Sequence, residues 1–319
     1  MSDDRPIVLV TEGSEPAPLD WLKERADVLE VGPDDAAFDR ALARAQGMVV
    51  RSYTTVDAAL LDRAPNLRVV GRGGVGLETI DVPECRRRGV EVVYTPDANT
   101  LAVRELVTGL MVKLVRPWHA NALDFTNDGF KRLRKDAGEQ LCDLTLGILG
   151  MGRVGRAVAR TAVRGLDMRV IYHDLADVSA EVDVPAESVS REALFAGCDL
   201  LTVHVDGRPK NRHLIDAAAV EFGEFRYLIN TSRGPVVDAA ALPAALASGK
   251  LSGVALDVFD PEPPPGDSPY AVLQRDFADR VILTPHMASR TRRAVENMSW
   301  VVRDVLGVLG GEPPQHPAP

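Results

Sequence analysis

The strongest chemical signature in the sequence is a glycine-rich segment that follows the apolar run 145–149, namely Gly150-Met151-Gly152-Arg153-Val154-Gly155. Its spacing, GxGxxG, is typical of a strand-to-helix turn that binds a dinucleotide. Gly150 permits the tight turn, Gly152 lets the backbone approach a pyrophosphate, and Gly155 lets the helix pack on the strand. The helix that follows supplies free N–H groups and the positive end of a dipole. Ordinary glycine-rich turns share this spacing, so further residues must support the interpretation.

An acidic residue, Asp174, gives that support. It follows the next apolar run, about 20 residues beyond Gly155, where dinucleotide-binding folds place an acid that hydrogen-bonds the ribose hydroxyls. A carboxylate there repels a 2′-phosphate, so the predicted cofactor is NAD rather than NADP. A simpler interpretation, in which Asp174 only caps a strand end, stays open.

Further groups suited to binding or proton transfer follow other apolar runs of the same region. They are Thr231 and Arg233 in 230–234, Asp257 and Glu262 in 256–263, and His286 in 284–286. In open α/β sheets, ligands bind beyond the carboxyl ends of the strands, where these residues fall. His204 ends another run, and we predict that it packs near the cofactor rather than reacts.

Strands that alternate with helices must position these groups. Runs at 145–149, 168–172, 200–205, 227–230, 253–256 and 281–283 predict six strands, which match a complete dinucleotide fold. Runs at 7–10, 28–31, 47–51, 67–70 and 90–94 predict a second parallel sheet wrapped by helices. The proline-rich stretch 260–269 can continue neither element and is predicted to be a loop.

Helices join and follow these two series. The stretch 100–115 has apolar residues at helical spacing and at most other positions, which predicts a helix buried nearly all round, for example between two domains. A last helix is predicted over 292–309, and it is expected to cross back to the first domain. The glycine- and proline-rich tail from Gly310 is expected to fray.

Composition narrows the class of protein. With 319 residues, 45% of them hydrophobic, the chain is long enough for two globular domains. A formal charge of −9 argues against a nucleic-acid partner, which needs a positive surface. Apolar runs are too short to span a membrane. Three cysteines without metal-ligand spacing fit a reducing compartment and predict no metal site, and the cytoplasm is the expected location.

Taken together, these segments resemble the D-isomer-specific 2-hydroxyacid dehydrogenases. The similarity covers nearly the whole chain, since 50–52, 74–76, 80–81 and 99–105 are similar to motifs of that family's first domain. The resemblance implies two doubly wound parallel-sheet α/β domains. A Rossmann NAD-binding domain (101–287) would be inserted in a flavodoxin-like substrate domain (1–100 and 288–319). It also implies an NAD-dependent oxidoreductase acting on CH–OH groups, and a homodimer.

The resemblance assigns roles that chemistry makes reasonable. Alcohol oxidation needs a base, and His286 is the candidate because imidazole titrates near neutrality. Glu262 would hydrogen-bond this imidazole and raise its pKa. Arg233 would bind the substrate carboxylate and polarise the carbonyl oxygen, and Asp257 would receive the nicotinamide carboxamide. The first domain is expected to close over the substrate.

Within the family, the first domain is most similar to D-3-phosphoglycerate dehydrogenases. The predicted substrate-binding residues are Arg51, Ser52, Arg72, Val75, Gly76 and Asn99. Arg51 and Arg72 would face a phosphate, with a third cation from Lys131, Arg132 or Arg134. The turn that holds Val75 and Gly76 would present backbone N–H groups to a carboxylate. The arginines could instead form surface salt bridges.

Several positions depart from the family pattern and leave alternatives open. They are Leu77-Glu78-Thr79, Arg104, Asp206-Gly207 and Met287-Ala288-Ser289. Glyoxylate or hydroxypyruvate reduction is therefore one alternative, and phosphonate oxidation, which uses a similar triad, is a minor one. A non-catalytic NAD-sensing protein, like the corepressors that share this fold, is another. Formate dehydrogenases pair their histidine with glutamine, so Glu262 argues against that reaction.

Overall fold

The computed structural model describes residues 5–116, 131, 135 and 137–319. The chain divides into two compact units. One comprises Met1–Asn99 and Ser289–Pro319, and the other comprises Thr100–Ala288. None of the helices in the described ranges combines the length and apolar character needed to cross a bilayer.

The described part of the first unit forms a five-stranded parallel sheet in the order β2-β1-β3-β4-β5. Its strands are β1 (Ile7–Val10), β2 (Asp27–Glu30), β3 (Gly47–Val50), β4 (Val69–Arg72) and β5 (Glu91–Tyr94). Val8 and Val10 belong to the apolar cluster on one face, and Leu9 belongs to the cluster on the other. Burial of both faces explains why these strands are continuous apolar runs. The order is that of flavodoxin-like sheets, which reverses between β1 and β3.

The second unit forms a seven-stranded parallel sheet in its described part, in the order β12-β11-β10-β9-β6-β7-β8. Its strands are β6 (Thr145–Leu149), β7 (Arg169–His173), β8 (Glu187–Ser188), β9 (Leu200–Val203), β10 (Tyr227–Asn230), β11 (Gly253–Leu256) and β12 (Val281–Leu283). The first six strands in chain order follow the Rossmann arrangement 3-2-1-4-5-6, with β12 added at one edge. The predicted fold class is confirmed.

Helices cover both sheets. In the first unit they are α1 (Pro16–Lys23), α2 (Phe38–Leu42), α3 (Ala58–Asp62), α4 (Val82–Arg87), α11 (Arg292–Ser299) and α12 (Val301–Leu309). In the second they are α5 (Thr100–Leu114), α6 (Arg153–Leu166), α7 (Arg191–Gly197), α8 (Ala217–Phe222), α9 (Leu242–Ser248) and α10 (Pro269–Asp276). The residues 260–268 form the loop before α10, as expected from their prolines.

Two helix predictions need correction. The helix over 100–115, expected to be buried nearly all round, forms as α5 but buries mainly the face that includes Val103, Val107 and Leu110, whereas Leu101 is 53% exposed. The single helix expected over 292–309 is two helices, α11 and α12, which meet at Trp300. The strand pattern also missed β8, because its two residues are exposed and too short to show a period.

The expectation that the tail from Gly310 frays is wrong. The tail lies along the free edge of β5, where the N–H of Tyr94 donates to the His316 carbonyl at 3.1 Å. The N–H of Ala318 donates to the Val92 carbonyl at 2.7 Å, and Ala318 is buried. An edge strand presents backbone groups that need partners, and the tail satisfies them.

Candidate active site

The glycine-rich segment lies where the strand order of the second unit reverses, between β6 and β9. Gly150 has a φ of 97°, which favours glycine, and a Cβ there would come within 2.8 Å of the His204 carbonyl. A Cβ at Gly155 would lie 2.2 Å from the Gly150 oxygen, so only glycine allows α6 to approach the loop. A Cβ at Gly152 would meet no heavy atom of the described residues within 4 Å. The start of α6 is therefore open to a ligand.

Asp174 follows β7 and contacts the same loop. One carboxylate oxygen accepts the Met151 N–H at 2.7 Å, and the other accepts the Ala176 N–H at 3.0 Å. The carboxylate thus stabilises the glycine-rich turn and remains half-buried beside it. This position is consistent with both interpretations of Asp174, as a cap of the strand end and as a ligand of the ribose hydroxyls.

Residues on neighbouring elements complete the carboxyl edge of this sheet. Arg153 and Val154 begin α6. His204 follows β9, and burial lowers its pKa to about 3, so its ring is neutral and contacts the Thr202 hydroxyl at 3.0 Å. Thr231 follows β10, and its buried hydroxyl has no hydrogen-bond partner among the described residues. This unsatisfied hydroxyl and the open glycine loop fit a bound dinucleotide.

His286 and Glu262 form a hydrogen-bonded pair beyond β12 and β11. His286 Nδ1 lies 2.7 Å from Glu262 Oε2, while Glu262 Oε1 accepts the Phe259 N–H at 2.9 Å. The bond to Glu262 raises the pKa of His286 above its ordinary value, although burial opposes this. For Glu262, burial raises the pKa, but the bonds from His286 and Phe259 outweigh it and lower the pKa. The pair therefore favours a protonated imidazole beside a carboxylate.

Asp257 anchors the segment that carries His286. Its fully buried carboxylate accepts the Thr284 hydroxyl at 2.6 Å and the N–H groups of Met287 and Ala288, both at 2.9 Å. Its carbonyl accepts the His286 N–H at 2.8 Å. His286 has a φ of 48°, an uncommon conformation for a residue with a side chain. These bonds hold that conformation, a role for Asp257 that the sequence did not indicate.

Arg233 is positioned by a turn that Asn230 closes. The Asn230 amide donates to the Arg233 carbonyl at 2.9 Å, and its oxygen accepts the Ser232 N–H at 3.0 Å. The Arg233 guanidinium donates to the Ser232 carbonyl at 2.7 Å. Its charge acts on His286 and on Glu262, lowering the pKa of each. The second unit thus brings together the guanidinium, the imidazole and the carboxylate named from the sequence.

The predicted substrate residues of the first unit lie at the carboxyl edge of its sheet. Arg51 and Ser52 follow β3 and are backed by the carboxylate of Glu12, which sequence reasoning missed. Burial lowers the pKa of Arg51, and the charge of Arg290 adds to this effect. Asn99 ends the turn before α5.

Arg72 is folded against its own turn. Its Nε donates to the Gly76 carbonyl at 2.9 Å, and its Nη1 donates to the Gly73 carbonyl at 2.8 Å. The N–H groups of Val75 and Gly76 have no acceptor among the described residues. Of the three cations offered as a third phosphate ligand, Lys131 is exposed, and Arg132 and Arg134 lie outside the described residues.

Comparison with known proteins identifies the family to which this chain is similar. A model of the "D-isomer specific 2-hydroxyacid dehydrogenase, NAD binding domain" matches residues 108–288. Over 312 residues, the chain is 33% identical to a D-3-phosphoglycerate dehydrogenase of Archaeoglobus fulgidus, with 96% of this chain and 58% of that protein aligned. The chain thus spans little more than half the length of that relative.

Two further relatives match along nearly their whole length. A glyoxylate reductase of Thermofilum pendens is 32% identical over 97% of this chain and 93% of its own. The crystal structure of a D-lactate dehydrogenase from Aquifex aeolicus, complexed with NAD and lactic acid, superposes with a TM-score of 0.81 and 25% identity, covering 96% of each chain. The chain therefore belongs to the D-isomer specific 2-hydroxyacid dehydrogenase family, and its second unit contains the NAD-binding domain of that family.

Proposed function

We propose that the protein transfers a hydride between NAD and the C2 carbon of a small anionic 2-hydroxy or 2-keto acid. The observation that carries this proposal is the 2.7 Å hydrogen bond between His286 and Glu262. The positive charge of Arg233 acts on both side chains of this pair. NAD, when bound at the glycine-rich loop, accepts or supplies the hydride. The residues of the chain bind the acid and move the proton.

In the reductive direction, protonated His286 donates from Nε2 to the carbonyl oxygen while C2 gains the hydride. Glu262 holds Nδ1 and stabilises the positive imidazole before the transfer. In the oxidative direction, neutral His286 accepts the hydroxyl proton. The planar fork of Arg233 binds the carboxylate and polarises the carbonyl oxygen. Proton and hydride together account for the difference between keto acid and hydroxy acid.

The first unit supplies further anion contacts in this proposal. The N–H groups of Val75 and Gly76, which have no acceptor among the described residues, suit a carboxylate. Ser52 and Arg51 follow β3 at the same edge of the sheet, and Asn99 lies in the turn after β5. The substrate proposed first is a phosphorylated acid, 3-phosphoglycerate or its keto form, since arginines suit a phosphate dianion.

One observation favours a second candidate substrate. Two donors of Arg72 are bound to backbone carbonyls of its own turn. Arg51 then remains the stronger of the two proposed phosphate ligands, and one guanidinium suits a smaller monoanion. Glyoxylate or hydroxypyruvate reduction is therefore the alternative activity.

We propose a homodimer in the cytoplasm as the working form. The free thiols of Cys85, Cys142 and Cys198 suit a reducing compartment. The exposed side chain of Leu101 on α5 is available to a second copy. Light scattering after size-exclusion chromatography tests the dimer directly.

The test of activity is a panel of keto acids followed by NADH absorbance. The panel contains 3-phosphohydroxypyruvate, hydroxypyruvate, glyoxylate, pyruvate and bulkier keto acids. The proposal expects steady NADH consumption with at least one small acid. Preference for 3-phosphohydroxypyruvate over hydroxypyruvate supports the phosphate assignment, and the reverse supports the alternative. NADH binding without turnover of any acid would instead indicate an NAD-sensing protein.

A further inference from the structure

A half-buried polar contact lies at the point where the first sheet reverses its strand order. Glu12 follows β1, and the loop 51–54 follows β3, the neighbouring strand across the reversal. Ligands of flavodoxin-like sheets bind at this position. The contact between Glu12 and the loop 51–54 therefore affects the loop's conformation at a position where such sheets bind ligands.

The Glu12 carboxylate accepts four consecutive backbone N–H groups. Oε1 accepts from Arg51 at 3.1 Å and from Thr54 at 2.7 Å. Oε2 accepts from Ser52 at 2.6 Å and from Tyr53 at 2.9 Å. A carboxylate has about four acceptor positions, so both oxygens are fully used. The loop is wrapped around one side chain.

This geometry determines the ionisation state of the Glu12 carboxyl group. Burial raises the pKa of Glu12, but the N–H groups of the loop outweigh it and lower the pKa, so the carboxylate stays ionised. Four N–H dipoles stabilise this charge, which also acts on the Arg51 guanidinium and raises its pKa against the effect of burial.

The outer side of the loop bears the groups that a substrate would meet. The Arg51 guanidinium is half-buried and has no hydrogen bond or ion pair among the described residues. Tyr53 is 87% exposed although its N–H is bound to Glu12. Thr54 is buried, whereas Ser52 and Tyr53 are exposed, and a fixed backbone that exposes such side chains is suited to recognition.

We propose that Glu12 is a positioning residue that fixes the loop 51–54 so that Arg51 and Ser52 are held ready for the anionic substrate. The loop's four N–H groups give its backbone one conformation, and the arginine then loses less freedom when the acid binds. This inference rests on the proposed function for its substrate, but the contact between Glu12 and the loop can be tested without it.

The test compares Glu12→Gln with a matched control, Glu15→Gln. Glutamine keeps one acceptor oxygen and removes the other, so the fold is retained while two of the four bonds are lost. Glu15 also acts on the charge of Arg51, but none of its side-chain atoms binds the loop in the described structure. The control therefore removes a nearby charge and leaves the loop bonds intact.

Two measurements are made on each protein. Hydrogen–deuterium exchange by mass spectrometry reports on the amides of 51–54, and steady-state kinetics reports on the keto acid that the wild-type protein turns over. Glu12→Gln should speed exchange in 51–54 alone. It should lower kcat/KM by roughly 10-fold to 100-fold, chiefly through KM, because misplaced binding groups weaken substrate binding. Glu15→Gln should leave exchange unchanged and alter KM much less.

Unchanged exchange at 51–54 in Glu12→Gln would overturn the positioning role. An equal rise in KM in both variants would also overturn it, because charge alone would then explain the effect. If the wild-type protein turns over none of the acids, the proposed function fails, and the exchange data alone decide whether Glu12 holds the loop.

Discussion

His286 and Glu262 meet through a single short contact, 2.7 Å between Nδ1 and Oε2. Because Nδ1 donates to the carboxylate, Nε2 is left as the atom that exchanges a proton with substrate. The second oxygen of Glu262 is bound by the Phe259 N–H, so the carboxylate has a fixed orientation. The contact thus sets both the orientation and the charge of the imidazole.

This contact predicts the pH dependence of catalysis. The pKa of His286 is raised above its ordinary 6.5. Reduction needs protonated His286, so kcat/KM should be fully present at low pH and fall as pH rises through this raised pKa. Oxidation needs neutral His286, so its kcat/KM should instead rise with pH through the same pKa. Glu262→Gln removes the negative charge that raises the pKa of His286, so the pH at which kcat/KM changes should be lower in both directions. Profiles that coincide in wild type and variant would contradict the assignment.

Loss of either reacting side chain should abolish most turnover. His286→Ala removes the proton donor, and Arg233→Ala removes the group that polarises the carbonyl. We expect kcat/KM to fall by roughly 10²- to 10⁴-fold in each case. NADH affinity, measured by isothermal titration calorimetry, should change little. His316→Ala, a half-exposed histidine in the first unit, serves as control. Near-normal turnover in either variant would refute the role of that residue.

Asp174 should determine the choice between NAD and NADP. Asp174→Ala removes the charge that repels a 2′-phosphate, and it also removes the acceptor of the Met151 N–H. Asp174→Asn removes the charge but keeps an acceptor oxygen. Both variants should show a lower ratio of kcat/KM for NADH over NADPH, and the asparagine variant should bind NADH more tightly than the alanine variant. An unchanged ratio in both would count against a ribose role.

The sequence pattern was sufficient to predict those parts of the fold in which several consecutive residues share the same apolar character. The two sheets follow from runs of apolar residues buried on both faces, and β1, β6, β10, β11 and β12 begin and end where the runs do. The glycine-rich loop could be found because its geometry requires glycine at Gly150 and Gly155, as the 2.2 Å approach at Gly155 illustrates. Family resemblance supplied Arg233, Glu262 and His286, whose chemistry the spacing alone did not specify.

Apart from the contact between Glu262 and His286, which the family resemblance implied, single contacts between distant residues could not be predicted. Glu12 looks like any acidic residue after a strand, and only the fold brings it to four amides about 40 residues away in sequence. Asp257, at the end of β11, likewise binds the His286 segment at the end of the neighbouring strand β12, 27 to 31 residues away in sequence. The tail was misjudged because glycine and proline suggest disorder, whereas its order depends on a free sheet edge and on a buried carboxylate, Asp304.

That carboxylate should contribute measurably to stability. Asp304 on α12 is 6% exposed and accepts the N–H groups of Gln315 and His316, both at 2.9 Å. Asp304→Ala leaves both amides without this acceptor and should lower the free energy of unfolding by about 1–3 kcal/mol. Urea unfolding measures the loss. Hydrogen–deuterium exchange should rise in 315–318 and at the Tyr94 amide. Asp34→Ala, at an exposed carboxylate of the same unit, should change neither; equal effects of the two substitutions would show that Asp304 does not hold the tail.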